Sequence, residues 1–542
     1  MSRRLSTWGW GWEDRFPDRE TRRLFAKQVR QMTGFELDSV EEPVPLAEAS
    51  IPDARIAIPD SLAKMISADP RARATRAQGR GYRDIVRGFA GHYASAPDVV
   101  VHPQDEEDVR RALDWADSAG LTVVPYGGGT SVVGGVEVTD RSAHKGVVCL
   151  DMRSMDAVNE VDTLSMAARI QAGATGPRLE EQLRGRGLTM RFFPQSFELS
   201  TLGGWIATRA GGHFATLYTH IDDVLSSVRM LSPRGEFLTR RLPASGAGPD
   251  PNALVLGSEG TLGVITEAWV NIRRRPVWRA RASVRFTSFT DAVSAARCVA
   301  QSGLHPSNCR LLDRHEALLN RVATDGSHVL LLGFESADHP VETWMTRALE
   351  IAAENGGVCR DGPTLSHRPT EQGQADDDAV DRWRAAFLEA PYLVNSMVSL
   401  GVLADTFETA CTWDRFDAMH AAISHDVHDA MQRVAGGGML TCRFTHVYPD
   451  GPAPYFTFIA PAKRGSELRM WAEIKHAASE AIERNGGTIT HHHAVGRVHR
   501  PWFEREQPAG WDNVLRAVKG EFDPRGLLNP GALFSTTRPV VD

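Results

Sequence analysis

The sequence predicts an α+β protein with two large domains, and three observations lead to this prediction. The chain has 542 residues, enough for several units of about 100–200 residues each. From residue 98 to about residue 275, β-branched runs alternate with helical patterns among many glycines, which is typical of strands connected by helices. After Pro276 the glycine density falls and alternating apolar runs separate helical segments, which indicates a second domain with its own sheet.

Composition excludes several classes of protein. Hydrophobic residues make up 42% and charged residues 24%, the balance of a packed soluble protein rather than of a disordered, collagen-like or coiled-coil chain. The net charge of -7 argues against a broad nucleic-acid surface, so no nucleic-acid partner is expected. The 6 cysteines are scattered and form no CxxC pair, which favours a reducing cytoplasm over a disulfide framework or a zinc site.

The sequence contains no recognisable targeting segment. Residues 1–17 include arginines but no apolar core of a signal peptide, and no apolar run is long enough to cross a membrane. Val540, Val541 and Asp542 do not form a peroxisomal tripeptide. We therefore expect a cytoplasmic protein whose contact with a membrane would be peripheral.

The predicted elements of the first domain begin with a strand, a helix and a second strand. The helix is amphipathic, because Val109, Leu113 and Ala116 recur at helical spacing behind acidic residues of the first turn. Two more strands and a second helix follow. The expected ranges are strands at 99–101, 121–125, 146–150 and 170–174, and helices at 105–119 and 176–184.

The predicted elements of the second domain are strands with alternating apolar residues and longer helices. A polar stretch at residues 366–380 contains three consecutive aspartates and predicts a mobile surface loop. The expected ranges are strands at 282–286, 329–333, 441–448 and 455–460, and helices at 291–301, 340–355 and 466–485.

A glycine-rich loop directly follows the second predicted strand. Three consecutive glycines leave backbone N–H groups uncovered and permit positive φ, so the loop can surround phosphate oxygens. It is neither a GxGxxG fingerprint nor a P-loop, because no Gly-Lys-Ser/Thr follows it. For this motif alone, a flexible glycine turn is an equally good interpretation. The residues are Pro125, Tyr126, Gly127, Gly128, Gly129, Thr130 and Ser131.

Three further stretches between residues 194 and 265 are dense in glycine, hydroxyl and other small residues. Small residues at one site are usually a packing device, but four such sites in one region indicate a dinucleotide wrapped by loops. The candidate cofactor-binding residues in these stretches are Gln195, Ser196, Phe197, Glu198, Leu199, Ser200, Thr201, Thr208, Arg209, Ala210, Gly211, Glu259, Gly260, Thr261, Leu262, Gly263, Val264 and Ile265.

These motifs together resemble the FAD-binding domain of the vanillyl-alcohol oxidase (PCMH-type) superfamily, and FDPRGLLNPG at 522–531 is similar to its C-terminal signature. The resemblance runs from about residue 80 to residue 533. It implies FAD, with the pyrophosphate in the first loop, the isoalloxazine and ribityl chain at the second and third, and the adenine side at 259–265. We expect non-covalent FAD, because residues 127–131 include no His or Cys that could attach to the ring.

The resemblance also implies how the chain is organised. Two α+β subdomains form an FAD-binding domain at residues 95–275, and an α+β substrate or cap domain with an antiparallel sheet follows at 276–490. An N-terminal helical region occupies residues 1–94. Residues 491–542 are expected to form a C-terminal segment that returns to the FAD site.

Four other segments resemble the alkyldihydroxyacetonephosphate synthases: WGWGW at 8–12, SNCRLLD at 307–313, TFETACTWDR at 406–415 and THHHAVG at 490–496. This resemblance implies an enzyme of ether lipid synthesis that exchanges the acyl group of acyl-dihydroxyacetone phosphate for a fatty alcohol without net redox change. It also implies a lipid-like substrate and a homodimer. An FAD-dependent 2-hydroxy-acid dehydrogenase of the D-lactate or glycolate type stays open as the alternative.

The implied chemistry needs a group that removes a proton from the carbon beside a ketone. Tyr455 matches the tyrosine that transfers this proton in the family, and Tyr448 ranks lower. A phenol with a pKa near about 10 needs positive charge nearby, for which the candidates are His491, His492 and His493. Without the resemblance, Tyr455 would be an edge-strand aromatic and the triplet an exposed turn. Three adjacent histidines cannot all bind one ion, so we predict no metal.

Three arginines match positions that matter for function in the family. Arg415 corresponds to the arginine that binds the substrate phosphate, a role that suits a two-pronged guanidinium. Without the motif, a surface ion pair with Asp414 or Asp417 would be the default interpretation of Arg415. Arg310 corresponds to an arginine needed for activity, which we expect to order the flavin site, and Arg443 is assigned to substrate binding.

Overall fold

The computed structural model describes residues 3–37, 40–367 and 379–535. Its N-terminal part is mainly helical, and one short strand joins the first sheet. Asp18 and Asp69 begin two of the helices by accepting a backbone hydrogen bond with their side chains. The elements are α1 (Arg19–Thr33), β1 (Ile66–Ser67), α2 (Pro70–Thr75) and α3 (Tyr82–Phe89).

The predicted strand–helix–strand unit after residue 98 is confirmed. Its elements are β2 (Val99–Val101), α4 (Glu106–Ala119), β3 (Thr122–Tyr126) and β4 (Val147–Asp151). Asp105 caps α4 by accepting a hydrogen bond from Asp108 N, and Gly120 ends it in the left-handed conformation at φ 67°. The sheet order is β1-β2-β4-β3, with β4 parallel to both β2 and β3 and β1 antiparallel to β2.

A second sheet of 5 antiparallel strands follows. Its order is β5-β6-β10-β8-β9, with β5 (Val158–Asp162), β6 (Ala167–Gln171), β8 (Leu225–Ser232), β9 (Gly235–Leu238) and β10 (Val264–Asn271). The strand predicted at 170–174 ends at Gln171, because Gly173 turns the chain against the Met152 carbonyl. The other elements are α5 (Gly176–Arg184), β7 (Leu188–Thr189) paired with β11 (Arg273–Arg274), α6 (Leu202–Thr208) and α7 (Asn252–Val255).

The third sheet has 7 strands in the order β15-β12-β14-β13-β17-β18-β16, and all its pairs are antiparallel. Among the described residues, this half of the chain has six helices. Three of them correspond to the helices predicted at 291–301, 340–355 and 466–485, and the sequence did not predict the other three. The strands are β12 (Trp278–Phe286), β13 (Asn308–Leu312), β14 (His328–Ser336), β15 (Thr364–His367), β16 (Val402–Glu408), β17 (Met439–Val447) and β18 (Pro452–Pro461). The helices are α8 (Phe289–Gln301), α9 (Arg314–Leu319), α10 (Glu342–Glu354), α11 (Ala379–Ser399), α12 (Trp413–Ala435) and α13 (Glu467–Arg484).

The loop predicted at residues 366–380 falls mostly outside the described residues. Within the described part, residues 366 and 367 belong to β15, and α11 begins at Ala379.

The last residues of the described chain pack against the first sheet. Val123 N donates to the Leu527 carbonyl and Asn529 N donates to the Val123 carbonyl, both at 2.9 Å, so this segment extends the open edge of β3. Its helices are α14 (Arg500–Glu506) and α15 (Trp511–Phe522). Among the helices of the described residues, none combines the length and the apolar character that crossing a bilayer requires.

Candidate functional site

A cavity of about 970 Å³ lies between the first two sheets and the third. The loops after β3, before α6 and before β10 line one wall, and strands β13, β16, β17 and β18 line the opposite wall. Residues of α1 and α11 line one end. The volume is at the upper end of the range of about 300–1,000 Å³ for ligand sites, so a large cofactor fits.

The glycine loop after β3 presents its backbone to this cavity. Gly129 has φ 66°. In the part of the chain that the structure describes, the backbone N–H groups of residues 128–131 donate no hydrogen bond to protein atoms. A Cβ at Gly128 would lie 2.1 Å from the Leu199 carbonyl oxygen, so a side chain has no room. A row of unpartnered N–H groups at a positive φ forms a nest for anions, and a diphosphate fits this one.

Most of the candidate cofactor-binding residues line the cavity. The loop before α6 approaches the glycine loop closely, because Thr201 caps α6 and its Oγ1 would lie 2.2 Å from a Cβ at Gly127. The lining candidates are Pro125, Tyr126, Gly127, Gly128, Gly129, Thr130, Ser131, Gln195, Ser196, Ser200, Thr201, Thr208, Ala210, Gly211, Glu259, Gly260, Gly263, Val264 and Ile265.

Six candidates are not brought to the cavity and support its wall from behind. Arg209 pairs with Asp222 at 2.7 Å on the outer side, and Glu198 accepts a hydrogen bond from Tyr392 Oη at 2.9 Å. Phe197, Leu199 and Leu262 pack in hydrophobic cores, and Thr261 Oγ1 donates to a backbone carbonyl. The six are Phe197, Glu198, Leu199, Arg209, Thr261 and Leu262.

Glu259 joins the cavity to the C-terminal segment. Its carboxylate accepts hydrogen bonds from Val495 N and Gly496 N, at 2.8 Å each, and Asn529 Nδ2 donates to its carbonyl at 2.7 Å. Burial raises the pKa of Glu259 to about 7, against the lowering effect of these backbone donors. The residue has φ 50°, a left-handed conformation held by contacts on both sides.

Tyr455 lines the opposite wall, beside Arg443 on the neighbouring strand. The two residues are register partners of β18 and β17, and the guanidinium carbon lies 3.9 Å from the ring centroid. Tyr455 Oη donates to Thr406 Oγ1 at 2.9 Å. Burial raises the pKa of Tyr455 to about 12, and Arg443 works in the opposite direction. The cation against this phenol is therefore Arg443, whereas the sequence suggested the histidine triplet.

Glu408 holds the histidine triplet in place and was not identified from the sequence. Its Oε1 accepts the backbone N–H groups of His491, His492 and His493 at 3.2, 2.7 and 2.6 Å. Its Oε2 lies 2.5 Å from His492 Nδ1. Although burial acts to raise it, the pKa of Glu408 is held well below its usual range by His492 and His493. The sequence signal that could have identified Glu408 is its position as a lone carboxylate in the apolar and hydroxyl strand sequence TFET.

The three histidines point in different directions. His492 and His493 line the cavity, and His491 does not. His491 Nε2 instead lies 2.7 Å from Tyr448 Oη, outside the cavity wall. Burial lowers the pKa of His491 well below its ordinary value and that of His493 to about 3, so both rings are neutral at neutral pH.

Two groups of possible metal ligands occur here among the described residues. In each, the ligand atoms lie within 4.8 Å of one another, and neither contains all three members of the triplet. The absence of a metal stays a prediction. The groups are His446, His491 and His492, and Glu408, His492 and His493.

The three candidate arginines occupy different environments. Arg310 lines the cavity and donates to the His213 carbonyl at 3.0 Å, and burial, with Arg443 nearby, lowers its pKa to about 9. Arg443 also lines the cavity and pairs with Glu316 at 2.5 Å. Arg415 is exposed in the first turn of α12, with its guanidinium over Gly486, and the structure does not bring it to the cavity.

One end of the cavity is apolar. Apolar side chains of α1, α9, α11 and β18 line it, and the polar side chains of Gln28, Gln31, Asn320 and Arg321 also line the cavity on α1 and directly after α9. Sequence reasoning missed this end, because its residues are dispersed along the chain and carry no motif. They are Phe25, Met32, Leu319, Leu393, Val394, Met397 and Ile459.

Comparison with protein families matches both halves of the chain. A family described as "FAD binding domain" matches residues 97–240, and one described as "FAD linked oxidases, C-terminal domain" matches residues 275–533. The predicted FAD cofactor and the vanillyl-alcohol oxidase-type fold with an antiparallel cap sheet are confirmed by these matches and by the observed sheets.

Similar proteins extend the match over most of the chain. The alkyldihydroxyacetonephosphate synthase of Dictyostelium discoideum is 30% identical over 501 residues, which cover 87% of this chain and 78% of that protein. The protein of the same name from Caenorhabditis elegans is 31% identical over 486 residues, covering 85% and 80%. A solved structure of an alkyldihydroxyacetonephosphate synthase has a TM-score of 0.79 at 24% identity and covers 97% of this chain and 98% of its own.

Proposed function

The chain belongs to the family of the alkyldihydroxyacetonephosphate synthases, and on this premise we propose that it exchanges the acyl group of an acyl-dihydroxyacetone phosphate for a fatty alcohol. It is an FAD-dependent enzyme. In the exchange, the bond between the substrate carbon and the ester oxygen breaks, and a bond from that carbon to the alcohol oxygen forms. The fatty acid leaves with the ester oxygen.

One observation carries this proposal: a single cavity joins a polar end to an apolar end. Tyr455, Arg443 and His492 line the polar end, near the cofactor loops. Side chains such as Met32 and Met397 line the apolar end. Each buried methylene of an alkyl chain contributes about 0.8 kcal/mol, so a long chain gains from this wall. A short 2-hydroxy acid would make no contact with the apolar end of the cavity, which disfavours the dehydrogenase alternative.

We propose that the backbone nest of residues 128–131 would hold the diphosphate of the cofactor and that the attachment is non-covalent. When bound, the flavin ring supplies an electrophilic centre that can accept a carbanion. The residues around it would hold and orient the substrate beside the ring. Gly211 lines the cavity beside His492, and a Cβ there would lie 3.1 Å from His492 Cβ, so the two residues pack closely.

Tyr455 is proposed to take the proton from the substrate carbon beside the ketone. Tyr455 and Thr406 both line the cavity, and the hydrogen bond from Tyr455 Oη to Thr406 orients the phenol. A pKa of about 12 keeps the phenol neutral at neutral pH. A nearby positive charge must therefore stabilise the phenolate if Tyr455 is to accept the proton. The guanidinium of Arg443 against the ring supplies that stabilisation.

The anionic head of the substrate is proposed to bind at Arg443, with Arg310 adjacent. Arg443 uses Nη1 for its pair with Glu316, and its buried Nε has no hydrogen-bond partner among the described residues. Arg415 is outside the cavity, so we do not retain it as the phosphate ligand.

The resemblance also supports two proposals about partners. A homodimer is proposed from the family alone. Peripheral contact with a lipid surface is supported by α1, whose Met32 lines the cavity. Leu24 and Met32 are 54% and 47% exposed, and the exposed cations Arg23 and Lys27 lie on the same helix.

The decisive experiment supplies the purified holoenzyme with acyl-dihydroxyacetone phosphate and a labelled long-chain alcohol. We expect a labelled, alkali-stable ether product and one freed fatty acid for each product formed. Tyr455→Phe with normal flavin content serves as the matched control and should form far less product. Absence of labelled ether, with flavin bleaching by D-lactate or glycolate, would establish the dehydrogenase instead.

A further inference from the structure

The proposed exchange leaves one proton behind in the cavity. The alcohol contributes its oxygen to the ether, and the fatty acid is ionised at neutral pH because carboxyl groups have pKa values near about 4. The alcohol proton is therefore released once per turnover. It is released inside a cavity whose polar end is formed by buried residues, so it needs a path to water.

Hydrogen-bonding contacts connect the cavity to the surface at the histidine triplet. His492 lines the cavity, and its Nδ1 lies 3.1 Å from Nδ1 of His491. The opposite nitrogen of His491, Nε2, lies 3.1 Å from Nε2 of His220. His220 is partly exposed and its Nδ1 lies 3.2 Å from the Arg209 carbonyl.

The backbone fixes His220 in this position. A bridge pairs Gly211, a cavity residue, with His220, so the ring is set immediately behind the cavity wall. Gly212 N donates to the Thr219 carbonyl at 2.7 Å and reinforces the same turn. The arrangement of the three rings therefore follows from the fold around α6 and from the Glu408 anchor of the triplet.

We propose that His492, His491 and His220 form a proton path from the substrate to the solvent, an inference that rests on the proposed function. The proton joins His492 at Nε2, and Nδ1 of that ring passes a proton to Nδ1 of His491. His491 then passes a proton from Nε2 to Nε2 of His220, which releases one to water. Each ring accepts at one nitrogen and donates at the other, so no net charge accumulates.

Burial favours release of a proton from the two outer rings of the path. Burial lowers the pKa of His491 well below its ordinary value, so this ring passes a proton on rather than retaining it. At His220, the outer end, burial lowers the pKa below its ordinary value although Asp222 and Asp223 act against it, so this ring also releases a proton readily. At the inner end, Glu408 Oε2 lies 2.5 Å from His492 Nδ1, the nitrogen that also contacts His491, so the carboxylate holds this ring in position.

Tyr448 offers a competing exit. Its Oη lies 2.7 Å from His491 Nε2 and donates to Thr219 Oγ1 at 3.1 Å. A phenol whose pKa is raised above its usual value by burial releases its own proton less readily than an imidazolium, so we assign the exit to His220.

The test measures exchange by His220→Asn, His491→Gln and a control, His425→Asn, in weak and in strong buffer. His425 lies on α12 with its side chain 81% exposed. We expect His220→Asn to lose about tenfold in turnover at low buffer, less than the 10²–10⁴-fold of an acid–base group that contacts substrate. Small imidazole buffers should restore it as their concentration rises, and should leave wild type and His425→Asn unchanged.

Other outcomes overturn the path in distinguishable ways. Wild-type turnover by His220→Asn at low buffer, or a loss that imidazole does not restore, rejects the path while the proposed function stands. A buffer-restored loss in Tyr448→Phe but not in His220→Asn places the exit at Tyr448. Failure of the wild type itself to form ether rejects the proposed function and, with it, the path.

Discussion

The two walls of the cavity are built from different parts of the chain. The cofactor wall consists largely of backbone: N–H groups without partners among the described residues, a left-handed glycine, and positions where a Cβ would collide with a neighbouring main chain. The substrate wall consists of side chains on one sheet, where Tyr455, Arg443 and Glu408 interact across neighbouring strands. A site built from backbone therefore tolerates few substitutions. In a site built from side chains, each substitution removes one contribution, so the sizes of the effects can be compared.

The largest effect is expected on the backbone wall, at Gly128→Val. The added Cβ would lie 2.1 Å from the Leu199 carbonyl oxygen, and the neighbouring main chain cannot move aside as a flexible side chain would. The nest should be lost and with it the FAD, giving colourless protein. The measurement is flavin absorbance per chain, with Gly246→Val as control because a Cβ there meets nothing within 4 Å. Stoichiometric FAD in Gly128→Val would show that this loop does not hold the cofactor.

This contrast explains what the sequence could predict. A binding site made of backbone needs consecutive small residues, such as Gly127 to Ser131, and these are visible in the sequence. This is why 19 of the cofactor candidates line the cavity. Residues that meet across strands leave no such record. Glu408 and the triplet are separated by more than 80 positions, and only the fold brings them together. For the same reason, the motif around Arg415 did not reveal that this residue lies outside the cavity lining.

The second largest effect is expected at Tyr455→Phe, which removes one oxygen and keeps the ring against Arg443. Turnover should fall by about 10²–10⁴-fold while FAD content is unchanged, because general acid–base catalysis has that magnitude. Wild-type turnover should also rise with pH through the neutral range, because the phenolate fraction increases toward a pKa of about 12. The measurement is turnover against pH, with the exposed Tyr218→Phe as control. A fully active variant would move the role to Tyr448.

An intermediate effect is expected at Glu408→Gln, which keeps an oxygen for the triplet's N–H groups but removes the charge. Hydrogen bonds to charged groups contribute about 1.5–3 kcal/mol each, so the free energy of unfolding should fall by about that amount. The folded pKa of Glu408 is below its ordinary 4.5, so its contribution is present above pH 4.5 and is lost as the pH falls through the folded value. Chemical denaturation of both proteins at several pH values tests this.

The expected signature is a stability difference between wild type and Glu408→Gln that is constant at neutral pH and shrinks in acid. A difference that stays constant down to strongly acidic pH would mean that the carboxylate charge does not stabilise the triplet.

The smallest effects separate the two arginines assigned to substrate binding. Lysine keeps the positive charge but loses the two-pronged grip. Arg443→Lys should weaken binding of a phosphorylated substrate by about 1–3 kcal/mol, the range for hydrogen bonds to charged groups, because Arg443 lines the cavity. Arg415→Lys should change KM and turnover by less than about twofold, because an exposed side chain away from specific contacts has effects within about 0.5 kcal/mol.

The measurement is KM and kcat for each variant at equal flavin content. A rise in KM for Arg415→Lys and none for Arg443→Lys would mean that α12 moves Arg415 to the substrate when it binds, and the side-chain wall would then extend beyond the sheet.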